Sequence, residues 1–126
     1  VKFDRVPWSD EAEAGLGSSL GYETVAIKAQ VEAGVAILWH SKSANSWLIT
    51  RTEPDELVIM CYAGRGARAM FRVIYNHAKT LGKRCVRFHT EQPWIIDLLS
   101  DWQPMPLEYV VRVAVNKAAV VGAGND

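Results

Sequence analysis

The hydrophobic period of the chain changes at Gly64, and no other feature of the sequence restricts the fold as much. Before that point Leu57–Tyr62 is an unbroken apolar run, of the kind that forms a strand buried on both faces. After it, Ala67, Met70, Phe71, Ile74, Ala78 and Leu81 recur at the spacing of one helical face, and Gly82 ends the pattern. The spacing predicts a helix over 67–81 that buries Met70, Phe71, Ile74, Ala78 and Leu81. A β-prone run, Arg84–Thr90, follows at once. A strand, a helix and a strand joined by such short links form a right-handed crossover between parallel neighbours.

The segments on either side fill out the layout. Ser9 precedes Asp10-Glu11-Ala12-Glu13, a hydroxyl cap followed by acids that complement the positive end of a helix. Tyr22–Val31 alternates well enough to predict a strand, with Val25, Ile27, Ala29 and Val31 on one face. Polar links then separate Val35–His40, Asn45–Arg51 and Leu57–Tyr62, which predicts an antiparallel meander. Downstream, Pro93–Trp102 reads as a short helix with proline in its first turn, and Leu107–Val115 as one closing strand. The fold class is therefore α/β of the α+β mixed-sheet kind. An antiparallel meander leads into a strand–helix–strand crossover, Leu57–Tyr62 is central, and helices cover both faces. At 126 residues a single domain is expected over 1–126, with its core at about 22–115 and a flexible tail over 116–126.

The charge pattern says more than its sum. The formal net charge is zero, yet residues 64–90 hold seven basic side chains and no acidic one. Residues 1–63 hold five basic and nine acidic, and 91–126 hold two and five. The apolar runs fall short of the roughly 20 residues of a membrane span, and the amino end is acidic where an export signal would be basic, so a cytoplasmic protein is expected. Cys61 and Cys85 are too few for a disulfide framework or a four-thiolate metal site, and both are expected to be reduced and buried. No metal is expected.

Arg65, Arg68, Arg72 and Lys79 follow one another at helical spacing from the glycine-containing turn Gly64–Arg68. A helix start already carries about half a positive charge, so arginines there are opposed by a few tenths of a kcal/mol each. Exposed amides, a glycine that admits close approach and guanidinium forks together suit a phosphate or pyrophosphate. The competing reading is a solvated basic face whose charges pair with acids from the acidic amino-terminal part of the chain.

The run Tyr62-Ala63-Gly64-Arg65-Gly66-Ala67-Arg68-Ala69-Met70-Phe71 resembles the glycine-rich coenzyme A motif of the GNAT acyltransferase superfamily, and Ala78-Lys79-Thr80-Leu81-Gly82 resembles the end of that family's helix. The likeness covers about 22–115 and is most similar to the small GNAT-like proteins of tailed bacteriophages. It implies acyl transfer from acetyl-CoA or a related acyl-CoA to an amine. Met60, Tyr62, Gly64, Arg65, Gly66, Ala67 and Arg68 would then bind the cofactor, with a β-bulge near Met60–Ala63 exposing backbone to its thioester arm. His89 and Glu91, at a strand end, suit the base that takes the ammonium proton; His40, Glu53 and Asp55 stand at other strand ends. The family's tyrosine acid has no counterpart, since Asp97 stands near its place and Trp102 takes the terminal aromatic position. The alternative is a catalytically inactive GNAT-fold module, virion-associated if of phage origin, that meets nucleic acid or an acidic protein through Arg65, Arg68, Arg72 and Lys79.

Overall fold

The segment from Leu57 to Gly82 folds as its periodicity requires. In a computed structural model, which describes residues 1–89, 94–107 and 110–115, the elements in chain order are β1 (Asp4–Arg5), α1 (Asp10–Leu16), α2 (Thr24–Glu32), β2 (Ala36–Ser41), β3 (Ser46–Thr52), β4 (Glu56–Ala63), α3 (Ala67–Thr80), β5 (Cys85–His89), α4 (Trp94–Leu98), β6 (Met105–Leu107) and β7 (Val110–Ala114). Short 3-10 turns occupy Gly17–Leu20 and Ser100–Trp102. The strand order is β1-β2-β3-β4-β5-β7-β6, with β4 in the middle. The chain forms two compact units, residues 1–52 with 59–67 and residues 53–58 with 68–126, so β4 belongs to both.

In the first unit, β1, β2 and β3 are antiparallel, with Asp4 opposite His40 and Ser41 opposite Ser46. The Ser9 cap forms as expected, its Oγ accepting from the Ala12 amide at 3.0 Å. The core gathers Ala12, Leu16, Leu20, Ile27, Ala36, Leu38, Trp47, Ile49 and Cys61. At Gly15 a Cβ would lie 2.1 Å from Trp47 Nε1, so the absence of a side chain is what lets α1 rest on the indole. Trp39 Nε1 donates to Thr50 Oγ1 at 2.9 Å and satisfies that buried hydroxyl.

One expectation is overturned here: Tyr22–Val31 is not a strand but contains α2. Alternation would place Val25 and Ile27 on the same buried face, yet Ile27 is buried and Val25 is 85% exposed. Three β-branched residues at odd positions imitate a strand, whereas Ile27 and Val31, four apart, form the inward stripe of a helix with Ala26, Lys28, Ala29 and Gln30 between or beside them. Short runs of this kind are ambiguous in period, and the core decides.

In the second unit, the first residues of β4 and β5 start side by side: the Asp55 carbonyl accepts from the amides of Arg84 at 2.8 Å and Cys85 at 3.4 Å. Two strands that begin together and run the same way across an intervening helix are parallel, as the crossover predicts. Helix α3 buries Met70, Phe71, Ile74 and Ala78. The Phe71 ring meets Phe88 and Trp102 edge-on at 6.1 and 5.2 Å, a favourable aromatic geometry. Leu81 departs from the expectation and is 44% exposed. The helix ends before it, because Gly82 N–H bonds to the Lys79 carbonyl and Lys83 N–H to the Ala78 carbonyl, the paired C-terminal bonds that turn the chain out of the helix.

The closing segment is also revised. Where one strand was expected over Leu107–Val115, β6 and β7 form an antiparallel pair with Leu107 opposite Val110, and β7 pairs with β5. No Gly, Pro or Asn interrupts Leu107–Val115, so no sequence signal divides it into two strands. The proposed tail over 116–126, Pro93 and Glu91 lie outside the described residues. Among the described residues no helix is long and apolar enough to cross a membrane, and both cysteines are buried and outside any disulfide.

Candidate functional site

The turn between β4 and α3 is built around two glycines in the left-handed region, Gly64 at φ 136° and Gly66 at φ 75°. Gly64 is also confined by space: a Cβ there would stand 2.3 Å from Ser46 Oγ and 2.6 Å from Ser46 Cα. The end of β4 therefore touches the backbone of β3 at a point where only glycine fits. Because α3 begins at Ala67, Gly66 occupies the cap position and offers no side-chain oxygen to the first-turn amides.

Two hydroxyls hold this turn. Tyr62 Oη donates to the Arg65 carbonyl at 2.7 Å, and Ser46 Oγ lies 2.9 Å from that carbonyl and 2.9 Å from the Ala44 carbonyl. Ser46 is fully buried. Its oxygen is 3.4 Å from Tyr62 Oη. Partial burial raises the Tyr62 phenol above its ordinary range, and the Ser46 hydrogen bond offsets part of that rise. Within β4, burial and then the Glu23 carboxylate push the Cys61 thiol up to about 11, which favours a neutral core residue over a nucleophile.

The basic side chains have separate fates. The Arg65 side chain is exposed, as are Arg72 and Lys79, whose ammonium lies 5.8 Å from the Tyr75 ring centre. Arg68 is engaged within its own unit: Nη1 donates to the Leu98 carbonyl at 3.0 Å, Nη2 pairs with Asp101, and the guanidinium lies 5.0 Å from the centre of the Trp102 ring. Arg87 reaches Glu53 at 3.0 Å and Glu56 at 3.6 Å, and Lys83 Nζ donates to the Glu53 carbonyl at 2.9 Å. The reading of charges paired with acids of residues 1–63 holds for Arg87; Arg68 pairs instead with Asp101, Lys83 bonds to backbone carbonyls, and Arg65, Arg72 and Lys79 stay at the surface.

Of the other candidates, Met60 is half-buried against the first unit's core and Ala67 is half-buried at the helix start. His89 is exposed at the end of β5, opposite Val110. Glu91 lies outside the described residues, so the structure places only one member of that pair. His40 stacks on Trp47 with ring centres 3.9 Å apart. Glu53 is taken up by Arg87, and Asp55 serves through its carbonyl. Sequence reasoning missed Ser46 and Asp101. Ser46 carries no local signal, being one serine among several near a strand start; Asp101, an acid beside Trp102, shows only that something cationic could approach.

No family model matches the chain, and no curated protein matches it in sequence. Solved structures do match. The ribosomal-protein-S18-alanine N-acetyltransferase from Escherichia coli superposes with a TM-score of 0.62 at 11% identity, over 91% of this chain and 95% of that one. AtaT, complexed with acetyl-methionyl-tRNAfMet, superposes with a TM-score of 0.56 at 8% identity, over 96% and 98%. Identities this low establish architecture and not chemistry. With the meander, the crossover and the glycine turn in the order described above, this chain has the fold of the GNAT N-acetyltransferases.

Proposed function

We propose that the protein is an acyl-CoA-dependent N-acyltransferase that binds the anionic part of its acyl donor at the Gly64–Arg68 turn. The observation that carries this reading is the turn itself, with left-handed Gly64 and Gly66 leading directly into the 14-residue α3 beside the exposed Arg65. Backbone donors at a helix start and a free guanidinium provide fixed and adjustable contacts to phosphate respectively. The residues fit such a donor with the roles divided: Arg68, tied to Asp101 and the Leu98 carbonyl, holds its own unit together and leaves the phosphate contact to Arg65.

The bound thioester would supply the activated acyl group. The protein's part is to deliver a neutral amine to it. The exposed imidazole of His89 takes the ammonium proton, directly or through water, with Glu91 two residues on to relay it. Amide formation would break the donor's C–S bond, and the second proton given up by the amine nitrogen would pass through water to the departing sulfur, since no tyrosine stands in the following helix. The amine acceptor is a small molecule, a protein amino group or an amino group carried on RNA.

Thermal melting with CoA and with pantetheine tests the reading. CoA at a hundredfold excess over its dissociation constant adds about 2.7 kcal/mol to apparent stability, a rise of about 10 °C for a chain of this size. Pantetheine, without phosphates, should give far less. Arg65→Ala should shrink the CoA shift and leave the unliganded Tm unchanged, whereas Arg68→Ala should lower the unliganded Tm by breaking its link to Asp101. A Tm unmoved by millimolar CoA, in a protein that still binds an anionic polymer at low salt, would leave the alternative standing: a GNAT-fold binding or virion-associated module that uses Arg65, Arg72 and Lys79.

A further inference from the structure

The carbonyl oxygen of Arg65 accepts from Tyr62 Oη at 2.7 Å and from Ser46 Oγ at 2.9 Å, the single Ser46 proton being shared with the Ala44 carbonyl at 2.9 Å, so that Tyr62 makes the undivided bond. That carbonyl and the N–H of Gly66 belong to the same peptide unit, which is planar and trans, so the two groups point in opposite directions. Holding the carbonyl toward Ser46 and Tyr62 therefore turns the Gly66 N–H away from them. Gly66 is exposed, at φ 75°. Two further constraints fix the same unit: Gly64 is packed against the Ser46 backbone, and Ser46 is itself fully buried in β3.

We infer that Tyr62 and Ser46 are positioning residues for the acyl donor: their hydroxyls lock the Arg65–Gly66 peptide so that its N–H is presented to a phosphate of that ligand and its carbonyl is kept away. The inference rests on the acyl-CoA reading of the turn and adds to it the residues that preset the donor. An unlocked peptide can rotate and offer its carbonyl, which repels phosphate, so part of the unliganded population would be unable to bind. Pre-organisation of this kind acts on affinity for the phosphate-bearing part alone.

Tyr62→Phe removes one hydroxyl and keeps the ring. It should weaken CoA roughly threefold to tenfold, the range set by one hydrogen bond, while leaving the affinity for pantetheine as in the wild type. Ser46→Ala should act in the same direction. In an isotope-labelled wild-type sample, the Gly66 amide proton should shift on addition of CoA, and the shift at saturation should be smaller in Tyr62→Phe. Trypsin supplies a ligand-free measure, because the gripped carbonyl is the one it attacks when it cleaves after Arg65; cleavage there should be faster in Tyr62→Phe. Unchanged cleavage, CoA binding equal to the wild type, or a proportional loss of CoA and pantetheine would each overturn the inference while the acyltransferase reading survives. Failure of the wild type to bind CoA would sink that reading and the inference with it, even if cleavage confirmed that the hydroxyls hold the carbonyl.

Discussion

Replacing Gly64 by alanine asks the most of the structure. The new Cβ would sit 2.3 Å from Ser46 Oγ, 2.6 Å from its Cα and 2.7 Å from its Cβ, at a residue held at φ 136°. A backbone atom cannot swing aside as a long side chain would. Holding a residue with a side chain in such a conformation costs about 1–3 kcal/mol, and forcing a methyl into packed space costs about 1–3 more. Alanine restricts the unfolded chain and so offsets about 0.4–1 kcal/mol. Near the middle of these ranges the net destabilisation is roughly 3 kcal/mol, a large share of the roughly 5–15 kcal/mol of a whole domain. Gly34 provides the control, since it too has a positive φ, of 78°, but nothing within 4 Å of its Cβ position. Left-handed strain alone, about 1–2 kcal/mol, leaves Gly34→Ala with a net cost of roughly 1 kcal/mol. Urea denaturation of both variants should show Gly64→Ala the weaker by about 2 kcal/mol, from the packing term. Equal losses would refute the close approach of the turn to β3.

The helix and the buried thiol give two further tests. Phe71→Ala should destabilise by about 3–5 kcal/mol because the ring is 1% exposed among aromatic neighbours, whereas Leu81→Ala should cost under about 1 kcal/mol; comparable losses would mean that Leu81 is enclosed after all. Cys61, ordinarily at 9.0 and raised to about 11, is favoured in its neutral form by the fold. Its contribution is therefore complete below about pH 9 and is lost as pH rises toward about 11, by roughly 2–3 kcal/mol. Stability curves over that window should fall more steeply for the wild type than for Cys61→Ala, and parallel curves would show that the thiol is not desolvated.

The extent to which sequence foretold this protein follows the range of the interactions involved. The Ser9 cap, the three strands of the meander, the helix from Ala67 and its termination at Gly82 were all legible, because each depends on residues within a few positions of one another. Even the parallel relation of β4 and β5 follows locally, from the shortness of the links around one helix. The period of a nine-residue segment was not legible. Val25, Ile27 and Val31 fit a strand and a helix about equally well, and α2 forms because the surrounding core takes Ile27 and Val31 and leaves Val25 in water.

The candidate site divides along the same line. Glycines and arginines at helical spacing made the Gly64–Arg68 turn a candidate for an anion, and the left-handed φ angles of Gly64 and Gly66 are what those residue types permit. Which arginine is available is another matter. Arg68 meets Asp101 across 33 positions of sequence, and Ser46 reaches the Arg65 carbonyl across 19; no pattern in the chain joins these residues, since they are neighbours only after the strands and helices have packed. The sequence by itself determined the elements whose signals are local, not α2 or the β6–β7 pair, and the residue types that the turn has at hand. The tertiary structure decided which charges hold the fold, which remain in water, and which hydroxyls bond to the turn, because a folded chain brings together groups whose separation along the sequence carries no information about their contact.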